Sequence, residues 1–209
     1  EGIIENCFSL NNNMSGYPED QVSAGGIVGT LCQNGIIQNC ANTSEITARY
    51  VGGIVGDIWF GGIISNCYNS GKISTTVISG ELGGISGRAT DGAMIENCYN
   101  TGTIDSIGQW GEAGGIAGNV SELASVRNCY NTGTVRINEL GDAGGIVGVL
   151  LGELSTSYNA GSIVVINGTD VGNLAVGGVA GNVNEFGSHW SIYRCYYLDN
   201  ISQGTSGEW

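Results

Sequence analysis

Three carboxylates, Glu81, Glu112 and Asp142, each fall two residues ahead of a Gly-Gly pair, at intervals of 31 and 30 residues. If those positions stack in space, the carboxylates come within about 5 Å of one another. Like charges at that spacing either splay into water or are bridged by a hard cation such as Ca2+, which takes oxygen ligands. The calcium repeat Gly-Gly-x-Gly-x-Asp is absent, which argues against Ca2+, and no other cofactor is indicated. A second set could bind rather than react. Tyr50, Trp59, Phe60, Trp110 and Trp190 lie in or beside segments of variable length, where core packing does not account for them. Exposed aromatic rings stack on sugars and anchor protein interfaces, so these five are candidate contacts for a host glycan or protein.

Catalysis has less to draw on. His189 is the only histidine, so no Ser-His-Asp or Cys-His constellation is available, and without Cys-x-x-Cys a zinc site is not indicated. A polysaccharide-active β-helix enzyme would need an Arg or Lys base, or converging carboxylates. Arg88, Arg127, Arg136 and Arg194 share no repeat position with an acid pair, and Asp57 and Asp91 stand alone in corners. The chain reads as non-enzymatic. A β-helix enzyme is the third reading, behind a structural segment and a binding module.

The elements that must position these residues follow from a repeat. Gly-Gly-Ile/Val-x-Gly, with Ala or Ser among the residues at x, begins at Gly25, Gly52, Gly83, Gly114, Gly144 and Gly177, with spacings of 27, 31, 31, 30 and 33 residues. After each copy comes Ile-x-Asn-Cys-Tyr-Asn-x-Gly, clearest at 64–71, 95–102 and 126–133, with an orphan form at 4–9 ahead of the first. Such a period marks a stacked array in which each unit buries its apolar face against its neighbours. The unit holds three short strand-like pieces: the Gly-Gly-Ile segment, the Ile-x-Asn-Cys-Tyr segment, and a Gly-x-Ile/Val step such as Gly102-Thr103-Ile104. No stretch has helical periodicity. The expected fold is all-β: a solenoid, a parallel β-helix of about 30 residues and three strands per coil, right-handed as parallel crossovers are. The array spans 1–198, beginning mid-repeat as in a piece of a longer chain, and 199–209, with Trp209, reads as a C-terminal cap.

Six of seven cysteines, Cys7, Cys40, Cys67, Cys98, Cys129 and Cys195, occupy one repeat position, where the remaining copy has Ser157. Stacked side chains point in parallel, so a buried thiol ladder is preferred over disulfides. Cys32 lies off the ladder, and a Cys32–Cys40 pair is the alternative. Polar residues after the phrase's Ile face water, so strict alternation would turn the thiols outward. A corner at the Asn resolves this, because Asn tolerates left-handed backbone. Asn66, Asn97 and Asn128, with Asn6 and Asn39, are then expected to stack as an amide ladder, with Tyr68, Tyr99, Tyr130 and Tyr158 as an outer stripe. Variable lengths fall before Gly-Gly, as in 11–24 with Pro18, and before the Ile-x-Asn phrase.

Composition narrows the partners. Glycine makes up 38 of 209 residues, and at recurring positions it implies sharp corners with positive φ. The formal net charge is −13 with only six Lys and Arg, which excludes nucleic-acid binding and disfavours an anionic bilayer surface. No apolar run is long enough for a membrane span.

Gly26-Ile27-Val28-Gly29, Gly53-Ile54-Val55-Gly56 and Gly145-Ile146-Val147-Gly148, each followed by Asn-Cys-Tyr-Asn or a degenerate form of it, resemble the GLUG repeat. The resemblance covers almost the whole chain. It implies a secreted or cell-surface bacterial protein of adhesin-like type. The repeat also occurs in the non-catalytic part of IgA-cleaving metallopeptidases, whose His-Glu-x-x-His motif is absent here. The family has no catalytic residues to carry over. The expected role is therefore a structural or adhesive repeat segment that displays corner loops on a rigid rod beside other domains of a longer chain. The alternative is a glycan- or host-protein-binding module using the loop aromatics.

Overall fold

The computed structural model describes residues 2–16, 21–138, 140–166, 174–183 and 190–198. Every regular element among them is a β-strand. One coil consists of Glu81–Gly83, Ser86–Ala89, Met94–Glu96, Tyr99–Asn100 and Ile104–Ser106. Each strand pairs in parallel with its counterpart one repeat later: Glu81 faces Glu112, Ile95 faces Val126, and Tyr99 faces Tyr130. Repetition builds five parallel sheets of six or seven strands, here numbered 1 to 5 in the order just given. The fold is a β-solenoid. At a strand spacing of about 4.8 Å the seven-stranded sheets extend roughly 30 Å along the stack. No described helix is long and apolar enough to cross a membrane.

The three pieces read from each repeat are present, and two of them bend. The Gly-Gly-Ile piece breaks into sheets 1 and 2, and the Ile-x-Asn-Cys-Tyr piece into sheets 3 and 4. The second bend is made by Asn6, Asn39, Asn66, Asn97 and Asn128, all at φ between 53° and 56°. That left-handed step resets the alternation and turns the cysteines inward. In the two last copies, Thr156 and Arg194 take the same backbone conformation. Glycine has a different role from the one its abundance suggested. Among the described glycines only Gly61 and Gly92 have positive φ. The Gly-Gly pairs are instead places of close approach: a Cβ on Gly84 would lie 2.3 Å from the Gly115 carbonyl oxygen and 2.4 Å from the Asn100 amide carbon.

Two apolar columns fill the interior. One contains Ile64, Ile85, Ile95, Cys98 and Ile116, the other Ile73, Leu82, Ile104 and Val135. Each fully buried Ile or Leu contributes about 1.5–3 kcal/mol of transfer free energy. A column of amides meets the second glycine of each phrase but the last, where Tyr197 takes its place. Asn42, Asn69, Asn100, Asn131 and Asn159 are buried and bonded side chain to side chain along the stack, with Nδ2 to Oδ1 distances of 2.8, 2.8, 2.9 and 3.0 Å. Each also closes a local turn, as when Asn100 Nδ2 donates to the Gly102 carbonyl at 2.9 Å. Outside, the rings of Tyr68, Tyr99, Tyr130 and Tyr158 stack nearly parallel at 5.0, 4.9 and 5.2 Å.

Length variation falls at two corners. One joins sheet 5 to sheet 1, as between Ser106 and Glu112, and the other joins sheet 2 to sheet 3, as between Ile58 and Ile63. Residues 199–209, read as a cap, lie outside the described residues, as do Trp209, His189 and Pro18.

Candidate functional site

The first residue of the sheet-1 strands and the third of the sheet-2 strands together form a mostly polar strip, interrupted by Val149 and Ala175. Along it lie Tyr50, Asp57, Glu81, Arg88, Glu112, Asn119, Asp142 and Asn182. Glu81, Glu112 and Asp142 are adjacent in register. Each has a partner from sheet 2. Arg88 Nε stands 4.0 Å from Glu81 Oε2, Asn119 Nδ2 donates to Glu112 Oε2 at 2.7 Å, and Asn182 Nδ2 donates to Asp142 Oδ2 at 3.1 Å. Among the described residues no group of three His, Cys, Asp or Glu side chains is arranged to hold a metal ion. Asn119 and Asn182 each hold a carboxylate oxygen that a cation would need, and the Arg88 guanidinium stands beside the third carboxylate.

Arg88 is committed elsewhere. Its Nε and Nη2 donate to Asp57 at 3.1 and 2.6 Å, a bidentate pair, and its guanidinium lies 4.4 Å from the centre of the Tyr50 ring. Tyr50 was expected among the exposed aromatics. It is instead buried at the start of a sheet-1 strand, because its ring is covered by Arg88.

Burial, then the Glu112 charge, pushes the Glu81 carboxyl up to about 8, against only partial relief from Arg88. The long 4.0 Å contact and the closer claim of Asp57 explain why this ion pair does not hold Glu81 ionised. Burial also raises Glu112 and Asp142. Between the ordinary value of 4.5 and about 8, the folded protein holds a proton on Glu81 that the unfolded chain releases. Stability is therefore expected to fall as pH rises through that window. Denaturant midpoints should be higher near pH 5 than near pH 8, and Glu81→Gln should flatten the slope. A wild-type midpoint that climbs with pH across this range would contradict the assignment.

Beside the strip lies a groove of about 530 Å3, lined by Trp110, Glu112, Leu140, Asp142, Leu174 and Asn182 among others. It brings together Trp110 and two of the three stacked acids. Trp110 is about half exposed, at a corner φ of 58°, and Leu140 beside it has φ 67°. Bulky residues rarely adopt such backbone, and here it places an indole at the rim. The other candidate aromatics are elsewhere. Trp59 and Phe60 are exposed and meet edge to face at 6.2 Å on the corner between sheets 2 and 3. Trp190 is exposed on the same corner four coils away, just ahead of Ser191–Tyr193.

Cys40, Cys67, Cys98 and Cys129 are buried in one column, and Cys7 and Cys195, on the end coils, are exposed and half-buried. All are free thiols, as is exposed Cys32, so no Cys32–Cys40 bond forms. Cys40, Cys67 and Cys98 each accept through Sγ from the backbone N–H of the cysteine one coil earlier, as Cys98 Sγ does from Cys67 N at 3.4 Å. Ser157 fills the slot in the same way, accepting from Cys129 N at 3.1 Å. Burial raises the Cys98 thiol well above its ordinary value. A thiol reagent should therefore label Cys7 and Cys32 promptly in the native protein, and Cys40, Cys67, Cys98 and Cys129 only after denaturation. Prompt native labelling of Cys98 would place the column on the wrong face.

Asn66, Asn97 and Asn128, expected as the amide ladder, make the corner but stay exposed, with Asn128 Nδ2 donating to Asn97 Oδ1. The continuous ladder is the next Asn of the phrase, which sequence reasoning missed. Its signal was available: Asn at 42, 69, 100, 131 and 159, each followed two residues later by Gly or Ser.

Residues 47–74, 79–105 and 111–136 match the model of the GLUG motif. The chain carries GLUG motifs. Each match spans one coil, from about one sheet-5 strand to the next, so the GLUG unit and the solenoid turn coincide. No curated protein matches the chain. A solved structure from Bacteroides ovatus, provisionally described as an immunoglobulin A1 protease, resembles this chain with a TM-score of 0.64 at 23% identity. The likeness covers 96% of this chain and 59% of that one. It is a likeness of fold.

Proposed function

We propose that this chain is a non-catalytic, stiff repeat segment of a secreted or cell-surface bacterial protein, holding corner loops and neighbouring domains at a fixed distance. The observation that carries the reading is the register, which passes unbroken through every coil. The residues that recur most faithfully are taken up by packing: Cys in the thiol column, Asn in the amide ladder, Tyr in the ring stack, and Gly where backbones touch. An array built this way gains length one coil at a time. The likeness to the Bacteroides ovatus structure is consistent with such a segment, and the protease activity in that protein's description is not transferred.

The exposed Trp110 beside its groove favours a second reading, an active binding module for host glycan or protein. A glycan array with the isolated chain separates the two. Silence supports the spacer. Reproducible hits that disappear in Trp59→Ala or Trp110→Ala would replace it with the binding module.

A further inference from the structure

We propose that the groove over Glu112 and Asp142 binds the cationic side chain of a partner peptide, a guanidinium or ammonium on an apolar stem. The template for this ligand lies in the same strip. There, Arg88 sits 4.4 Å from the centre of the Tyr50 ring while its guanidinium grips the Asp57 carboxylate at 3.1 and 2.6 Å. The chain supplies ring, carboxylate and cation together. At the groove the ring is Trp110 and the carboxylates are Glu112 and Asp142, but the register positions of Arg88 are taken by Asn119, Val149 and Asn182. A ring and two acids meet there without a cation, the acids at the register position of Tyr50 and the ring on the adjoining corner.

The charge ledger agrees. Glu112 and Asp142 are paired with neutral amides, which hold their oxygens without cancelling their charge. Arg88, on the neighbouring coil, is engaged by Asp57. An incoming guanidinium would form charge-assisted bonds to these carboxylates and lie against the indole, two contacts that strengthen when water is excluded. Its methylene stem would lie along Leu140 and Leu174, both half-buried on the groove wall. The alternatives match less of the lining. Ca2+ takes six to eight oxygens, which a wall of indole and leucine does not offer. A neutral sugar could use the indole face but would leave the two acids desolvated without a countercharge.

Calorimetric titration of the whole chain with the blocked peptides Gly-Arg-Gly, Gly-Lys-Gly and Gly-citrulline-Gly tests the assignment, because citrulline keeps the shape of arginine without its charge. Saturable binding of the Arg peptide is expected, with citrulline at least about tenfold weaker. Glu112→Gln and Trp110→Ala should each weaken the Arg peptide by about tenfold. Trp59→Ala should leave it unchanged, and circular dichroism confirms that each variant is folded. Equal binding of Arg and citrulline peptides would overturn the proposal, as would absence of saturable binding or survival of binding in folded Glu112→Gln. Tighter binding of glucosamine oligomers than of the Arg peptide, or displacement of the peptide by equimolar Ca2+, would overturn the choice of ligand.

Discussion

Replacing Asn100 by Ala is expected to cost about 4 kcal/mol in a denaturant melt, among the largest effects of any polar substitution in the chain. Its side chain is fully buried and makes four hydrogen bonds. Nδ2 donates to the Gly102 carbonyl and to Asn131 Oδ1, both at 2.9 Å. Oδ1 accepts from Gly102 N at 3.1 Å and from Asn69 Nδ2 at 2.8 Å. Truncation leaves the Gly102 backbone groups and two neighbouring amides short of partners where water does not reach, at about 1–3 kcal/mol for each group wholly deprived. Asn100→Asp keeps the shape but sets an oxygen against the Gly102 carbonyl and Asn131 Oδ1, so it should be at least as damaging. The contrast is Asn97→Ala. Asn97 is exposed, and its loss removes mainly the tolerance for φ 53°, worth about 1–2 kcal/mol. If Asn97→Ala proved the costlier change, the ladder would belong to the corner row after all.

That pair of asparagines shows where sequence reading succeeds and where it stops. The period, the parallel stacking, the absence of helix and the inward turn at Asn97 all follow from one-dimensional regularities: spacing, alternation, and the few residue types that tolerate left-handed backbone. Assigning the ladder required knowing what each Asn faces. Asn97 and Asn100 recur equally well, and nothing in the spacing says that Asn100 points at a glycine while Asn97 points at water. The groove was half legible for the same reason. Register alone aligned Glu81, Glu112 and Asp142. Their partners Arg88, Asn119 and Asn182 lie across the bend between sheets 1 and 2, and in the last case on the next coil, a separation of 40 residues. Tyr50 looked like a loop aromatic because its neighbours are irregular. It is buried because an arginine 38 positions further on covers its ring.

Gly114→Ala should destabilise the protein by about 3 kcal/mol, the upper end of the range for overpacking a well-filled site. The cost is steric rather than conformational, since Gly114 is not among the glycines with positive φ. A Cβ there would meet the Ala117 carbonyl oxygen at 2.0 Å, the Ile146 carbonyl oxygen at 2.7 Å and the Gly148 nitrogen at 2.8 Å. All three are backbone atoms, and two of them belong to the next coil, so no side chain can rotate aside. Parting the coils would relieve only the two contacts to the next coil, not the 2.0 Å one within its own, and it would lengthen the bonds from Gly115 N to the Gly144 carbonyl and from Ile116 N to the Ile146 carbonyl, now 3.3 and 2.8 Å. Gly2→Ala is the control: a Cβ on Gly2 meets nothing within 4 Å, and the change should be almost neutral. Denaturant melts of both variants test the packing of the array. A small effect at Gly114, equal to that at Gly2, would mean that neighbouring coils do not approach through their Gly-Gly phrases, and the stacked solenoid could not stand.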